Sequence, residues 1–239
     1  MGDEVTIEVY DGELLISDCY TDSIQGYVQR GIDQNMINEV HLATLLVEML
    51  NYGAEAQKAF NYDVNNLVNS IITPELIEKL GINCTNPVCE DNQVKSEAYS
   101  ATSLNLEGRI EMIFKFKNTY VNNEMSAVIT FKNYKGVQKT VKVAGEKFVS
   151  DGNRWAVVLS DASFVAADAR SLVTCTIYDA DGNVVTVVKD SIESYCARAI
   201  AGLTNMKENK PNDYAKQEFK IEFYQSLMRY SDAACANFK

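Results

Sequence analysis

Two stretches of the chain decide the fold: VTIEVYDGELLISDCYTDSIQGYVQRGI from Val5 to Ile32, and VTCTIYDADGNVVTVVKDSIESYCARAI from Val173 to Ile200. They align without a gap at an offset of 168. Ten of their 28 positions are identical, namely Val5, Thr6, Tyr10, Asp11, Asp22, Ser23, Ile24, Tyr27, Arg30 and Ile32. Unrelated stretches of average composition would share about two. The match predicts one supersecondary unit that is used twice.

The correspondence resumes farther along the chain at an offset of 178. Three residues match there: Tyr52 with Tyr230, Ala56 with Ala234, and Phe60 with Phe238. The second copy therefore carries ten additional residues, which we place in a polar loop over 201–213.

Each copy has the pattern of a strand, a turn, a second strand and two helices. Val173, Cys175 and Ile177 alternate with polar residues, which is typical of a half-buried strand. The turn residues Asp179–Asn183 and a β-branched run follow. Acidic residues then precede the first helix of each copy and predict two capping boxes, Asp190 with Glu193 and Asp22 with Gln25.

Between the copies, short β-branched runs are separated by turn signals such as Asp151-Gly152-Asn153. Such spacing is typical of a β-sandwich. We therefore predict an α+β fold: an antiparallel immunoglobulin-like β-sandwich with two repeated units, each a β-hairpin plus a helical hairpin. The predicted segments are a first copy at 1–82 (the end of a preceding module), a linker at 83–102, the sandwich at 103–190 and a second helical hairpin at 191–239.

Three motifs carry a resemblance to a known family: Tyr52–Phe60, Tyr178–Asn183 and Ser191–Arg198. They resemble signatures in large cell-surface proteins of gut Clostridia, within the Firmicutes, which pair an immunoglobulin-like sandwich with a helical hairpin. The second hairpin departs from the family pattern in having Ser231 and Asp232 after Tyr230. The resemblance implies an exported, modular, surface-attached protein, located outside the cell or on its surface.

Charge and hydropathy exclude two classes of partner. The net charge is -11 and the pI is about 4.6, so a nucleic-acid backbone would repel the chain. No apolar run reaches the length of a membrane span. We expect the partner to be an extracellular protein or a glycan.

Catalytic and metal-binding motifs are sparse. The single histidine, His41, has no nucleophile motif to pair with, so we expect it to be structural or exposed and predict neither an enzyme nor a cofactor. Asp179, Asp181 and Asn183 resemble the opening of a calcium loop. Their glycine is at the fourth place instead of the sixth, so a hairpin turn is the preferred interpretation and calcium the alternative.

The six cysteines include no Cys-x-x-Cys pair, which argues against a zinc site. Cys84 and Cys89 flank a proline-containing loop, and an antiparallel helical hairpin would bring Cys196 and Cys235 to the same end. Each pair is a candidate disulfide in an exported protein, whereas an anaerobic niche favours free thiols.

Two kinds of function stay open. The first is a non-catalytic module that acts as a spacer or as a binding and adhesion unit, with a glycan-binding module as its variant, since aromatic residues can stack on sugar rings. The second is a fragment of a glycoside hydrolase that uses two carboxylates. The N-terminal hairpin would also leave bare strand edges, which predicts a strand-mediated dimer.

Overall fold

The computed structural model describes residues 5–7, 10–11, 14–15, 20–37, 39–161 and 164–238. The fold is α+β, as predicted, with two four-stranded antiparallel sheets and six helices in this described part. The chain forms two compact units, Met1–Asn86 and Pro87–Lys239, which we call unit 1 and unit 2.

Unit 1 begins with two short antiparallel strand pairs and continues with three helices. Its elements are β1 (Val5–Ile7), β2 (Tyr10–Asp11), β3 (Leu14–Leu15), β4 (Tyr20–Asp22), α1 (Ile24–Asp33), α2 (Val40–Ala59) and α3 (Pro74–Leu80). Strand β1 pairs with β4, and β2 pairs with β3. Helix α3 has the expected signals at both ends, with the Thr73 hydroxyl accepting from the Leu76 amide and Gly81 in the left-handed conformation.

The core of unit 1 forms around helix α2. Residues Val28, Ile37, Ala43, Leu46, Val47, Leu50, Ala54, Val68 and Ile82 make up this buried cluster. A second face of α2 is also buried and carries Leu45, Glu48 and Tyr52. His41 lies in the first turn of the same helix and is exposed, in line with the expectation for it.

The described residues of unit 2 form eight strands in two antiparallel sheets. The first sheet has the order β5 (Tyr99–Asn105), β6 (Glu111–Lys117), β10 (Arg154–Leu159), β9 (Val149–Asp151), and the second has the order β12 (Val184–Asp190), β11 (Val173–Tyr178), β7 (Ser126–Lys132), β8 (Gln138–Ala144). Strand β5 begins inside 83–102, which we had predicted to be a linker, because its residues pair with β6.

The strands of unit 2 are amphipathic with a period of two. In β6, Met112, Phe114 and Phe116 have no exposed surface, and β7 buries alternate residues in the same way. Alternate side chains of a strand lie on opposite faces, so a polar residue in the buried series is forced inward. This happens at the end of β12, where Asp190 follows Thr186 and Val188 on the buried face.

Three helices complete unit 2: α4 (Ile192–Asn209), α5 (Pro211–Tyr214) and α6 (Phe219–Phe238). The predicted loop over 201–213 is wrong. Helix α4 continues through most of it because Leu203 is buried along that stretch, and Pro211 then opens α5. No helix in the described ranges is both long and apolar enough to cross a membrane, which agrees with the sequence.

Candidate functional site at the start of helix α4

The buried carboxylate of Asp190 connects the end of strand β12 to the start of helix α4. It accepts a hydrogen bond from the Ser191 amide at 2.9 Å and one from Arg198 Nη2 at 2.8 Å. Burial alone would lower the pKa of Arg198, but hydrogen bonds to Asp190 and Asp91 raise it above its ordinary value. Arg198 therefore anchors a carboxylate at the helix–sheet junction.

The cap of this helix differs from the predicted one. The N-cap is Ser191, whose Oγ accepts from the Ser194 amide at 3.0 Å. Asp190 stands one residue earlier, and the Glu193 side chain bonds to other partners. The predicted Asp190–Glu193 capping box is therefore wrong, because the serine satisfies the helix amide and frees both acidic residues for other contacts.

An extended stretch of unit 2, residues 88–94, lies over this junction, and we call it the covering segment. Its backbone amides at 90, 92 and 94 donate in turn to Glu193 Oε1 at 3.3 Å, Ser194 Oγ at 2.8 Å and the Lys189 carbonyl at 2.9 Å. The bonding residues alternate, as in a β-strand at a sheet edge. The covering segment therefore pairs with both the strand and the helix.

Side chains of the covering segment complete the contacts. Asp91 Oδ1 bonds to Arg198 Nη1 at 2.6 Å, so Arg198 connects two carboxylates. Gln93 Nε2 donates to Asp190 Oδ2 at 2.6 Å. Asp190 thus has donors from a backbone amide, a guanidinium and a side-chain amide, which is the compensation that a buried charge requires.

Arg170 forms a second ionic connection near the same helix end. Its guanidinium bonds to Glu193, to the Val88 carbonyl at 3.4 Å, and to both carboxylate oxygens of Asp232 on α6 at 2.7 and 2.8 Å. The hydrogen bonds to Asp232 are the main reason that the pKa of Arg170 is raised well above its ordinary value. One side chain therefore joins the covering segment, α4 and α6.

The corresponding residues of unit 1 have the same local geometry. Asp22 accepts from the Ser23 amide at 2.8 Å and from Arg30, and Ser23 Oγ accepts from the Gly26 amide at 2.9 Å. At the offset of 168, Asp22, Ser23, Gly26 and Arg30 correspond to Asp190, Ser191, Ser194 and Arg198 of unit 2. As in unit 2, the N-cap is the serine, so the predicted Asp22–Gln25 capping box is also wrong.

The two tyrosines at matching positions differ between the units. Tyr195 stacks edge-on against Tyr224 of α6, with ring centroids 5.9 Å apart. Tyr27 is exposed.

Asp179, Asp181 and Asn183 form the turn between β11 and β12. Asp179 Oδ1 accepts from the amides of Asp181 and Asn183 at 3.0 and 2.8 Å, and the backbone bond from Asn183 is the main cause that lowers the pKa of Asp179. This is the hydrogen bonding of an Asx turn. Nowhere in the described ranges do three or more His, Cys, Asp or Glu side chains gather as a metal site requires, and calcium binding here stays a prediction.

Among the described residues, neither Cys84 and Cys89 nor Cys196 and Cys235 are joined by a disulfide bond. Cys19 lies outside the described residues. Cys175 and Cys196 are buried. Burial raises the pKa of Cys175 to about 12, and burial together with the neighbouring Cys89 raises that of Cys196. Oxidation of either predicted pair stays a prediction.

We expect a thiol-specific disulfide reagent to separate these cysteines by burial. In the native chain Cys84, Cys89 and Cys235 should react, whereas Cys175 and Cys196 should react only after unfolding, because the thiolate is the reactive form. Peptide mapping by mass spectrometry measures this. Labelling of Cys196 in the folded chain would contradict it, and the unfolded chain is the control in which all should react. The unreduced sample also reports any linked pair.

The sequence did not reveal the covering segment or Arg170, and it showed Asp232 only as a departure from the family pattern. All three lie outside the segment that repeats without a gap, so no internal comparison draws attention to them. The stretch around Pro87 is polar, and its composition alone predicts a linker. Comparisons of the chain with protein-family models, with curated proteins and with solved structures find no match.

Proposed function

We propose that the chain is a non-catalytic, extracellular module of a bacterial surface protein that acts as a spacer or as a binding unit. In this proposal unit 2 is one complete module, an immunoglobulin-like sandwich followed by a helical hairpin. Unit 1 is the closing part of a second module of the same design. The resemblance of the three sequence motifs to clostridial surface proteins supports export.

The strand order of unit 2 supports the immunoglobulin-like assignment. In immunoglobulin lettering β5, β6 and β7 are strands A, B and C, β8 is C′, and β9 to β12 are strands D to G. The first sheet then has the order A-B-E-D, and the second has the order G-F-C-C′. Immunoglobulin-like domains divide their strands between two sheets in this way. The strand pairs that precede α1 and α4 would then be the F and G strands of two modules.

The observation that carries the proposal is the shared register of the two junctions. Val5 faces Asp22 across β1 and β4, and Val173 faces Asp190 across β11 and β12. The next two pairs also correspond at an offset of 168, and each pair of strands leads to the same Asp–Ser–Arg arrangement. A junction repeated with its register intact suits an array of spaced modules better than a single catalytic centre.

The contacts of the four buried carboxylates in the described residues of unit 2 also favour a module over a hydrolase. Asp168 accepts from the amides of Tyr134 and Val165 at 2.7 and 3.0 Å, and Glu111 bonds to Asn105 and Arg109. Asp190 and Glu193 hold the covering segment. A glycoside hydrolase needs two carboxylates that flank a sugar, whereas these four bond to the protein itself.

A fusion chain tests the modular design. A second copy of residues 87–172 is placed before Val5, because Val5 corresponds to Val173. We expect it to complete the first module and to slow hydrogen exchange at the amides of α1 by about tenfold or more. The control has the same added segment after Lys239. Equal exchange in the two chains would overturn the modular proposal.

A glycan array together with an assay for glycoside hydrolysis separates the remaining functions. Binding without turnover would identify a glycan-binding module, and a blank array with no turnover supports the spacer. Turnover of any glycan that is lost when a pair of carboxylates is replaced would contradict the proposal.

A further inference from the structure

The start of helix α1 exposes a surface that its counterpart on α4 buries. Ile24 is 43% exposed, whereas Ile192, at the matching position, is 0% exposed. The side chain of Arg30 is 44% exposed and that of Arg198 is 25% exposed. Tyr27, one residue from the buried Val28, is 55% exposed. Unit 1 therefore presents an apolar and cationic face, which we call the α1 face, where unit 2 is covered.

In unit 2 the covering segment bonds to the polar part of the matching surface, whereas Tyr195, which corresponds to Tyr27, packs against Tyr224 of α6. The residues that follow Ile192 along α4 bond to the covering segment through Glu193 and Ser194, and the Glu193 amide also donates to the Ala169 carbonyl at 2.9 Å. Arg198 receives the carboxylate of Asp91 in addition to that of Asp190. The partner of α4 is thus an extended strand with an acidic residue opposite the arginine.

We propose that the α1 face is a docking site for an extended peptide strand with the chemistry of residues 90–94, supplied by another module of the same design. The strand would run along the edge of β4 at Thr21, the position that corresponds to Lys189. Its carboxylate would bond to Arg30 beside Asp22, and its side-chain amide would donate to Asp22. This inference rests on the modular function proposed above and names the partner that completes unit 1.

Two sequence differences set the strength of this docking. Gln25 replaces Glu193, and its amide oxygen can accept a backbone amide as the Glu193 carboxylate does, although without a charge. Gly26 replaces Ser194, so the bond that Ser194 makes to the Asn92 amide has no equivalent. The strand therefore docks on the α1 face with fewer polar contacts than the covering segment makes in unit 2. Strand addition at a sheet edge draws its affinity mainly from such main-chain bonds.

A synthetic peptide tests the docking site directly. The probe has the sequence of residues 87–95, with capped ends and with Cys89→Ser to prevent oxidation, and it is titrated into the full chain labelled with nitrogen-15. We expect saturable shifts of backbone amide resonances at residues 21–30 in the millimolar range. The peptide with Asp91→Asn should bind about tenfold more weakly, since a charge-assisted bond is lost.

A pair of chain variants locates the site. Arg30→Gln should weaken binding by about the same factor, whereas Arg109→Gln, which makes the same charge change in unit 2, should leave it unchanged. Because both arginines are at the surface, folding of both variants is checked from the spectrum itself.

Three outcomes would overturn the proposal. Peptide-induced shifts confined to residues 189–198 would mean that the probe only exchanges with the resident covering segment. No shift at millimolar peptide would mean that the α1 face does not bind such a strand. Self-association of the chain without peptide, with shifts at residues 21–30 that the peptide does not displace, would mean that a different surface of a second copy occupies the α1 face. In each case slowed hydrogen exchange at the α1 amides of the fusion chain would still support the modular function. Failure of the docking proposal can therefore be told apart from failure of the modular function.

Discussion

Replacing Asp190 by alanine is expected to lower the free energy of unfolding of unit 2 by about 3–5 kcal/mol. The carboxylate is 0% exposed, and it accepts from the Ser191 amide, from Gln93 and from Arg198. Alanine would leave these donors without their acceptor in a site that water does not reach. Urea unfolding followed by the fluorescence of Trp155, the only tryptophan, measures unit 2.

The matched control for Asp190 is the corresponding residue of unit 1. Asp22 also accepts from a serine amide and, through both carboxylate oxygens, from an arginine, but its side chain is 22% exposed and that of Arg30 is 44% exposed. Asp22→Ala should therefore cost only about 1 kcal/mol, measured by hydrogen exchange at the α1 amides. Asp190→Asn keeps one oxygen acceptor. Its loss of unfolding free energy should therefore lie between the losses for Asp190→Ala and Asp22→Ala. Equal losses for Asp190→Ala and Asp22→Ala would contradict the role of burial.

The junction could be predicted from the sequence because its residues occur twice. Asp22 and Asp190, like Arg30 and Arg198, recur at one offset, so the repeat marks these four positions without indicating which of them bond to each other. The cap was misplaced by one residue for a physical reason. Aspartate and serine both serve as N-caps, so an Asp–Ser pair does not by itself say which residue caps the helix.

The contacts that cover the junction could not be predicted from local patterns. Asn92 and Ser194 are 102 positions apart in the sequence, and Arg170 is 62 positions from Asp232. Hydrophobic periodicity reports which face of an element is buried, but not which distant segment covers it. The covering segment itself is polar and nearly free of regular structure, so its composition alone favours a loop.

The length of helix α4 shows a similar limit. Residues 201–209 contain glycine, threonine and two asparagines, which are weak helix formers. They are helical nonetheless, and Leu203 is buried there while Gly202 is exposed. Tertiary packing has overridden local propensity in this stretch, as it commonly does in proteins.

Replacing Gly145 by alanine is expected to destabilise unit 2 by about 3 kcal/mol or more. A Cβ at this position would lie 2.1 Å from the Met125 carbonyl oxygen and 2.3 Å from that of Asn123. Those atoms directly precede strand β7, whose Ser126 pairs with Ala144 of β8. Because the obstructing atoms belong to the backbone, relief requires the end of the β7–β8 ladder to move.

Gly202→Ala is the control for this substitution and should raise the free energy of unfolding instead of lowering it. Gly202 is exposed within α4, and a Cβ there meets no atom within 4 Å. Alanine should stabilise the helix by about 0.5–1 kcal/mol, since glycine loses more conformational freedom on folding. Thermal unfolding followed by Trp155 fluorescence should give a melting temperature lowered by roughly 6–12 °C for Gly145→Ala and raised by a few degrees for Gly202→Ala. An unchanged melting temperature for Gly145→Ala would show that the approach of Asn123 and Met125 to this position is not fixed by the fold.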